Sequence, residues 1–494
     1  MIGGLRENRR VTHATPLSTI IALARAGALD HAWAQYCAAG YDRADDDPAA
    51  LTVRGRLLKD HALRAEGEAR RAYYLRSAEA YRQAAALQPA TYPLINAATL
   101  SLLSGDREQA EEIAREVLER VAAEPDEPET PYYRAATEAE ALLLLGRRED
   151  ARDALAAAVA AAPRAWEDHG STLRQFVAIE AALGGDPAWL DLLRPPRSLA
   201  WGAPGLPTDP AALPSTPGIG FAFGVLADAG DLAVAEAVHA DGIALHLILP
   251  AAPDLLPLDR ARVDALLEAA ESVTQVRPLE APVDARKTAL ARRIAHGASL
   301  LNAERLMGRA LVAPTDMFFA APSGAVEDPR LPELSLLAVS VGAGGDASFE
   351  ARLAEVGAAV AAAGPTALPP QLDGDDILIG YAGPEAAAAA ARAIHGALRG
   401  RMPLRIASHH GLIPSVRDPF SGAVRPTEQG AAIVREIAGA IPPDALCVSH
   451  DFAAVLAADS GTAAGINWIG ELQAFDGGAA IGLYALATAP PSED

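Results

Sequence analysis

The spacing of apolar residues from Thr15 to about Leu183 has the period of amphipathic helices. One theme recurs there: an apolar helix, a glycine turn and a charged amphipathic helix, centred on Gly27, Gly105 and Gly146. The separations between these glycines are irregular. The pattern predicts an α-solenoid of roughly four or five helix pairs over residues 1–193.

The pattern changes at Arg194–Arg197, where two prolines interrupt the helical period. Ala244–Pro250 is then a continuous apolar run, typical of a strand that is buried on both faces. Ser198–Trp201 is predicted as a strand and Asp231–Asp241 as a helix. Gly218–Gly224 is predicted as a strand or a strand-to-helix turn. Alternating strands and helices predict a doubly wound parallel sheet over residues 194–330.

From Leu334 the apolar runs predict the order strand, alanine-rich helix, strand pair, helix, strand, helix and strand. The third domain is therefore expected to be α/β and to span residues 331–490. The whole chain is predicted to be a multidomain protein of class α + α/β.

Composition restricts the function. The formal net charge of −22 argues against nucleic acid as a partner, because an acidic surface repels phosphates. The two cysteines, Cys37 and Cys447, are too few for a disulfide framework. No apolar run approaches the roughly 18 residues of a membrane span. The expected location is the cytoplasm.

The glycine turns, followed by acidic and alanine positions, resemble the tetratricopeptide repeat. Asp46–Pro89 and Trp166–Leu193 also resemble the helical module of bacterial proteins that carry a TRAFs-binding domain. Tetratricopeptide-like arrays bind proteins on a concave face, and some only brace a neighbouring domain. The resemblance implies a protein partner for the helical repeats, with bracing as the alternative.

The middle segment resembles the Rossmann-like domains of the SLOG group, which handle nucleotides. That resemblance implies nucleotide binding by Gly218, Gly220 and Gly224, since a glycine turn at a helix N-terminus cradles phosphate. Asp228 and Asp231 would repel such a phosphate. A purely structural turn is the alternative.

The last segment resembles the class III adenylate/guanylate cyclase domain, which has a ferredoxin-like α/β fold. The resemblance is carried by the Gly374–Asp375 hairpin, the strand that ends at His409–Gly411, the entry at Pro442–Pro443 to a Val-Ser strand, and a final Gly-Glu strand. It implies homodimerisation through this domain. His409 and His410 are adjacent on a strand, so they should point to opposite faces.

Cyclase chemistry requires two aspartates that hold two divalent ions against a triphosphate. The resemblance assigns Asp375 to this metal role, with Asp373 and Asp376 close by, but Ser340 stands where the other aspartate belongs. The positions that should carry a transition-state Asn and Arg hold Ala432 and Glu436. Arg435 lies one residue away, and a register shift would restore it. The base-reading lysine falls near Phe475.

The sequence therefore predicts a non-catalytic signalling or scaffold protein. Its repeats would bind a protein, and its degenerate cyclase-like domain would dimerise or sense a nucleotide, with no catalytic residue and no cofactor. One alternative is a divergent cyclase that uses Mg or Mn with a nucleoside triphosphate. A second alternative is nucleotide binding or hydrolysis in the middle domain.

Overall fold

The computed structural model describes residues 15–88, 90–123, 130–202, 218–278, 283–312, 330–341, 348–473 and 480–488. These residues form two compact units. The first holds the described residues up to Ala162 together with Ala178–Asp186, and the second holds Pro163–Val177 and the described residues from Pro187 onward. The boundaries predicted at residues 193 and 330 stay predictions. Pro89 and Phe475 lie outside the described residues.

The N-terminal region is helical, as its apolar period predicts. Its helices are α1 Leu17–Arg25, α2 Leu29–Ala38, α3 Pro48–Leu63, α4 Gly67–Leu87, α5 Thr91–Ser104, α6 Arg107–Ala123, α7 Pro131–Leu144, α8 Arg148–Ala161 and α9 Trp166–Leu183.

The three predicted glycine turns are present. Gly27 separates α1 from α2, Gly105 separates α5 from α6, and Gly146 separates α7 from α8, with φ of +84°, +93° and +73°. These left-handed values strain any residue with a side chain, so glycine ends each first helix without that cost. The recurring theme in the sequence therefore corresponds to a recurring helical hairpin.

Helices of the first unit pack on their neighbours in the chain, and α1 also contacts α3 as α5 contacts α7. Small residues allow this close packing. A methyl group added at Gly55 would lie 2.7 Å from the Tyr81 ring, so α3 and α4 approach closely only because Gly55 has no side chain. The Thr99 hydroxyl donates to the buried Glu140 carboxylate, which ties α5 to α7.

The second unit contains a five-stranded sheet in which every strand pair is parallel, in the order β4-β3-β2-β1-β5. The predicted parallel sheet is thus present. Its apolar strands are buried because helices cover both faces. The elements are β1 Arg197–Trp201, β2 Ile219–Val225, α10 Ala229–Ala240, β3 Ala244–Leu249, α11 Arg260–Ala269, β4 Ser272–Gln275, α12 Ala285–Arg305 and β5 Ala310–Val312.

A seven-stranded mixed sheet follows, in the order β13-β14-β12-β9-β6-β8-β7, with a separate β10–β11 ribbon. Helix α14, Pro384–Leu398, contains a long alanine run and buries one of its faces. The elements are β6 Glu333–Val341, α13 Phe349–Ala362, β7 Leu368–Asp373, β8 Asp376–Tyr381, α14 Pro384–Leu398, β9 Leu404–Leu412, β10 Ser415–Arg417, β11 Val424–Pro426, α15 Glu428–Ala440, β12 Leu446–Ser449, α16 His450–Ser460, β13 Ile466–Leu472 and β14 Ile481–Leu486.

Helix α12 packs against both sheet-containing parts of the second unit. It crosses β1, β2 and β3 of the parallel sheet and packs along α16 of the mixed sheet. Leu290, Ile294 and Leu301 of α12 are buried in the same apolar core as the strands of the mixed sheet. A methyl group at Gly297 would overlap the carbonyl oxygen of Ala454, so the two helices are in backbone contact.

Candidate functional site

The acidic residues assigned to metal binding lie on the β7–β8 hairpin. Asp373 ends β7, Asp376 begins β8, and the two are paired across the ladder. Gly374 and Asp375 form the two-residue turn, with Gly374 in the left-handed region at φ +63°. The predicted hairpin is therefore present, and all three aspartates lie within four consecutive residues of it.

Two of these carboxylates already have partners within the protein. The Arg435 Nε on α15 donates to Asp373 Oδ2 at 2.6 Å. The Ser340 hydroxyl at the end of β6 donates to Asp376 Oδ1. Within the described ranges, no group of three or more His, Cys, Asp or Glu side chains is arranged to hold a metal ion. The metal role of Asp373, Asp375 and Asp376 stays a prediction.

The glycines assigned to nucleotide binding lie at and within strand β2. Gly218 precedes the strand with φ +77°. A methyl group at Gly220 would lie 2.5 Å from Pro196 Cβ, and one at Gly224 would overlap the Trp201 indole. Packing against Pro196 and Trp201 therefore accounts for two of the three glycines, and their nucleotide-binding role stays a prediction.

Carboxylates of the chain itself occupy the first turn of the helix after β2. Asp228 caps α10 by accepting from the backbone amides of Gly230 and Asp231. Asp231 is fully buried, and its Oδ2 accepts from the Ala227 amide at 3.1 Å. Burial, reinforced by the charge of Asp228, raises the pKa of Asp231 to about 7. Asp228 thus fills the position in which a helix N-terminus would accept a phosphate.

A cavity of about 420 Å³ lies in the second unit, a volume typical of small-molecule sites. Its walls come from β2, β3 and β4 of the parallel sheet, from the last turns of α12, and from β9, α16, β13 and β14 of the mixed sheet. The side chains used below are Phe223, His246, Arg277, Arg305, His409, Ser449, His450, Asp451, Trp468 and Tyr484.

The cavity and the acidic hairpin lie at opposite ends of the mixed sheet. Ser340, which is paired with Asp376, lies opposite Arg405 at the start of β9. His409 of the cavity lies opposite Leu336, four residues further along β9. At about 3.3 Å per residue, Arg405 and His409 are roughly 13 Å apart along β9.

Two histidines in the cavity are held neutral. His409 is 6% exposed, its Nδ1 lies 2.8 Å from Ser449 Oγ, and burial lowers the pKa of His409 to about 4. The His246 ring stacks on Phe223 with ring centroids 4.3 Å apart and an interplanar angle of 5°. Burial, aided by the nearby charges of Arg305 and His450, lowers the pKa of His246 to about 4. Both imidazoles are neutral hydrogen-bonding groups at pH 7.

The adjacent histidines of β9 have different partners, as the strand period predicts. His410 is buried, with its Nδ1 2.9 Å from Ser335 Oγ and its Nε2 3.3 Å from a Glu333 oxygen. Burial alone would raise the pKa of Glu333, but His410 and Arg293 outweigh it and lower that pKa to about 2. His410 therefore contributes to a buried polar network, and His409 lines the cavity.

Acidic and cationic groups both face the cavity. The Asp451 carboxylate at the start of α16 lies 3.4 Å from His450 Nδ1. Burial alone would raise the pKa of Asp451, but the His450 hydrogen bond and the neighbouring imidazoles lower it. Arg305 donates to Glu167 at 2.9 Å and to Asn302 at 3.2 Å. Arg277 is half-buried and has no hydrogen bond or ion pair with any described residue.

Aromatic rings form the outer wall. Trp468 is 37% exposed and meets Tyr484 edge-on with centroids 5.2 Å apart. Burial raises the pKa of Tyr484 to about 12, so its hydroxyl keeps its proton. A methyl group at Gly482 would lie 3.1 Å from the Trp468 ring and 3.3 Å from His450 Cβ. Glycine at this position allows Trp468 to lie close against the strand.

The first unit has a separate groove of about 550 Å³ between α2, α3 and α4. Trp33, Arg54 and Arg76 line it, and so does Leu75, which is 49% exposed. Arg54 bonds to Asp45 and to backbone carbonyls, which fixes its position. Arg76 is exposed and lies 5.8 Å from the Tyr73 ring centroid.

Sequence reasoning identified the hairpin and missed the cavity. The His246 ring borders this cavity and bonds to Ser272 at 2.7 Å. Sequence reasoning did not predict α16, whose first residues are His450 and Asp451. The available signal was the sequence Ser449-His450-Asp451 after a buried strand, since serine before an acidic residue is typical of a helix N-terminus.

In the part of the chain that the structure describes, no helix has the length and apolar character needed to cross a membrane. The chain has no match among curated proteins. Two solved structures of adenylate cyclases from Trypanosoma brucei in their monomeric state are similar to 34% of this chain. The first is 12% identical, with 94% of its chain covered and a TM-score of 0.27. The second is 14% identical, with 93% covered and a TM-score of 0.25. Scores this low support no conclusion about activity.

The remaining comparison concerns the helices of the first unit. Residues 17–101 match the family model Tetratricopeptide Repeats-Sensor. This range holds α1 to α4 and most of α5, including the whole groove that Trp33 and Leu75 line. The N-terminal segment is therefore similar to tetratricopeptide sensor repeats.

Proposed function

We propose that this chain is a non-catalytic signalling or scaffold protein whose helical repeats bind a protein partner. The observation that carries the proposal is the groove between α2, α3 and α4, which lies within the segment that matches the tetratricopeptide sensor model. Repeats of this type present grooves between helices to partner segments.

The groove offers both apolar and charged contacts. Leu75 is 49% exposed beside the half-buried Trp33, which provides apolar surface that a partner side chain would cover. Arg76 adds an exposed cation on the same helix. A partner segment with an apolar residue followed by a carboxylate fits this combination.

Substitutions in the groove test partner binding. Leu75→Asp and Arg76→Glu should each reduce capture of a partner by at least tenfold, measured by quantitative mass spectrometry of cross-linked complexes. Leu63→Asp is the matched control, because Leu63 is 63% exposed and does not line the groove. Partners retained equally by Leu75→Asp and Leu63→Asp would refute the groove as the binding surface.

The cyclase-like domain is proposed to act without catalysis, through dimerisation or nucleotide sensing. The pairing of Asp373 with Arg435 and of Asp376 with Ser340 supports this part of the proposal. A two-metal mechanism needs carboxylates that are free to bind cations. Here the Arg435 guanidinium and the Ser340 hydroxyl already bond to two of the three aspartate carboxylates.

A turnover assay tests the absence of catalysis. The purified protein with ATP or GTP and manganese should form no cyclic nucleotide above background. Product that is lost in Asp375→Ala would instead establish the divergent cyclase. Asp254→Ala serves as the control, because Asp254 lies in the parallel-sheet part of the second unit.

A further inference from the structure

The cavity of the second unit contains an arginine that makes no direct contact with an anion among the described residues. Arg277 is half-buried, and its guanidinium has no hydrogen bond or ion pair with a described residue. Withdrawing a guanidinium from water is unfavourable unless an anion or hydrogen-bond acceptors compensate. A bound anion would supply that compensation.

Other groups in the cavity favour an anion over a metal cation. Asp451 is engaged by His450 at 3.4 Å, and His409 by Ser449 at 2.8 Å. Among the described residues no group of three potential metal ligands converges here. Arg305 adds a second guanidinium, which is fixed by Glu167 and Asn302.

Aromatic rings give the cavity flat surfaces. Phe223 and His246 are stacked almost parallel on one wall, and Trp468 stands against Tyr484 on another. Trp468 remains 37% exposed although it is the largest apolar side chain of this wall. Such rings bind planar ring systems by stacking and tolerate different ring types.

We infer that this cavity binds a small molecule that combines a planar ring system with an anionic group, with Arg277 holding the anion and Trp468 the ring. The anionic group is a phosphate or a carboxylate, since a guanidinium binds both in the same bidentate manner. This site lies at the opposite end of the mixed sheet from the acidic hairpin. With a nucleotide as ligand, this cavity would be the site of the nucleotide sensing proposed above; the inference depends neither on partner binding nor on the absence of catalysis.

Binding to the full chain is measured by calorimetry with five probes. AMP and GMP carry a ring and a phosphate, indole-3-acetate carries a ring and a carboxylate, adenosine is a ring alone, and inorganic phosphate is an anion alone. At least one of the first three should bind ten or more times tighter than adenosine and phosphate. The nucleotides and indole-3-acetate distinguish a phosphate from a carboxylate ligand.

Variants assign the binding to the cavity. Arg277→Met and Trp468→Ala should each weaken the tightest probe by at least tenfold, and Arg260→Met should leave it unchanged. Arg260 is the matched control, because it lies on α11 in an exposed ion pair with Asp264. Trp468→Phe keeps a ring but removes the indole, so it should retain binding and lose the ligand-induced quenching of tryptophan fluorescence.

Two results would overturn the inference. One is the absence of measurable binding for all three ring-and-anion probes. The other is binding that persists unchanged in both Arg277→Met and Trp468→Ala. Circular dichroism of each variant checks its fold. If either variant fails to fold, the quenching difference between wild type and Trp468→Phe decides the result.

Discussion

The two ends of the mixed sheet differ in how their charges are neutralised. At the hairpin end, Arg435 and Ser340 satisfy the carboxylates of Asp373 and Asp376. At the cavity end, Arg277 has no described partner. A site whose polar groups satisfy one another is complete as it stands, whereas a site with an uncompensated charge gains from a ligand. The position that a family resemblance marks for chemistry and the position that we infer to bind a small molecule are therefore different.

The largest expected effect concerns the helix that forms the cavity floor. Gly297→Ala should lower the free energy of unfolding of the second unit by about 3 kcal/mol, because the added methyl overlaps the Ala454 carbonyl. Denaturant unfolding followed by tryptophan fluorescence measures this, since Trp166, Trp189, Trp201 and Trp468 all lie in the second unit.

The same substitution in another helix is the control. No described atom lies within 4 Å of a methyl group at Gly357 on α13. Gly357→Ala should therefore raise the free energy of unfolding by about 0.5–1 kcal/mol, through helix propensity alone. Equal effects of the two substitutions would contradict the close packing of α12 on α16.

The next largest expected effect is a dependence of folding stability on pH, caused by His409 at the cavity end of the mixed sheet. His409 has a folded pKa of about 4 and an ordinary pKa of 6.5. Between these values the unfolded chain binds the proton and the folded chain does not, so stability falls as pH falls. From pH 8 to pH 5 the contribution of His409 is a loss of about 2 kcal/mol. Urea unfolding of wild type and His409→Asn across this range should differ by that amount, and parallel pH profiles would contradict it.

A smaller change in the free energy of unfolding is expected when either of the two arginines is replaced. Arg435→Met should lower the free energy of unfolding by at most about 1 kcal/mol, because Arg435 and Asp373 are both about one-third exposed. Arg277→Met should leave it unchanged or raise it by up to about 1 kcal/mol, because an uncompensated half-buried cation is removed. Chemical denaturation without added ligand measures both. A loss for Arg277→Met equal to that for Arg435→Met would remove the difference between the two ends.

The smallest expected effect is that of metal on the hairpin. Millimolar manganese should change the stability of the wild-type protein by less than about 0.4 kcal/mol, the limit when the metal concentration is below its dissociation constant. Thermal unfolding with and without chelator measures this. A manganese-dependent stabilisation that disappears in Asp375→Ala would show that the hairpin, like the cavity, is open to a ligand.

Much of the fold could be predicted because local signals carry it. Gly27, Gly105 and Gly146 end helices by their backbone conformation, and the apolar run at Ala244 gives a buried strand. The hairpin at Gly374 is equally local.

The cavity could not be predicted, because its residues come from segments far apart in the chain. Arg277, His409 and Trp468 each have an ordinary local context, and only the tertiary structure brings them to one site. The pairing of Arg435 with Asp373 also depends on tertiary structure, since 62 residues separate them.

Because α12 packs in the cores of both sheets, the evolution of this chain by domain exchange is restricted. A gene fusion that exchanged the parallel sheet for another module would also remove Leu290, Ile294 and Leu301 from the interior of the mixed sheet. We therefore expect the two sheets to unfold in one cooperative transition. Descendants of this chain would be expected to lengthen, shorten or replace the repeats more readily than they divide the second unit.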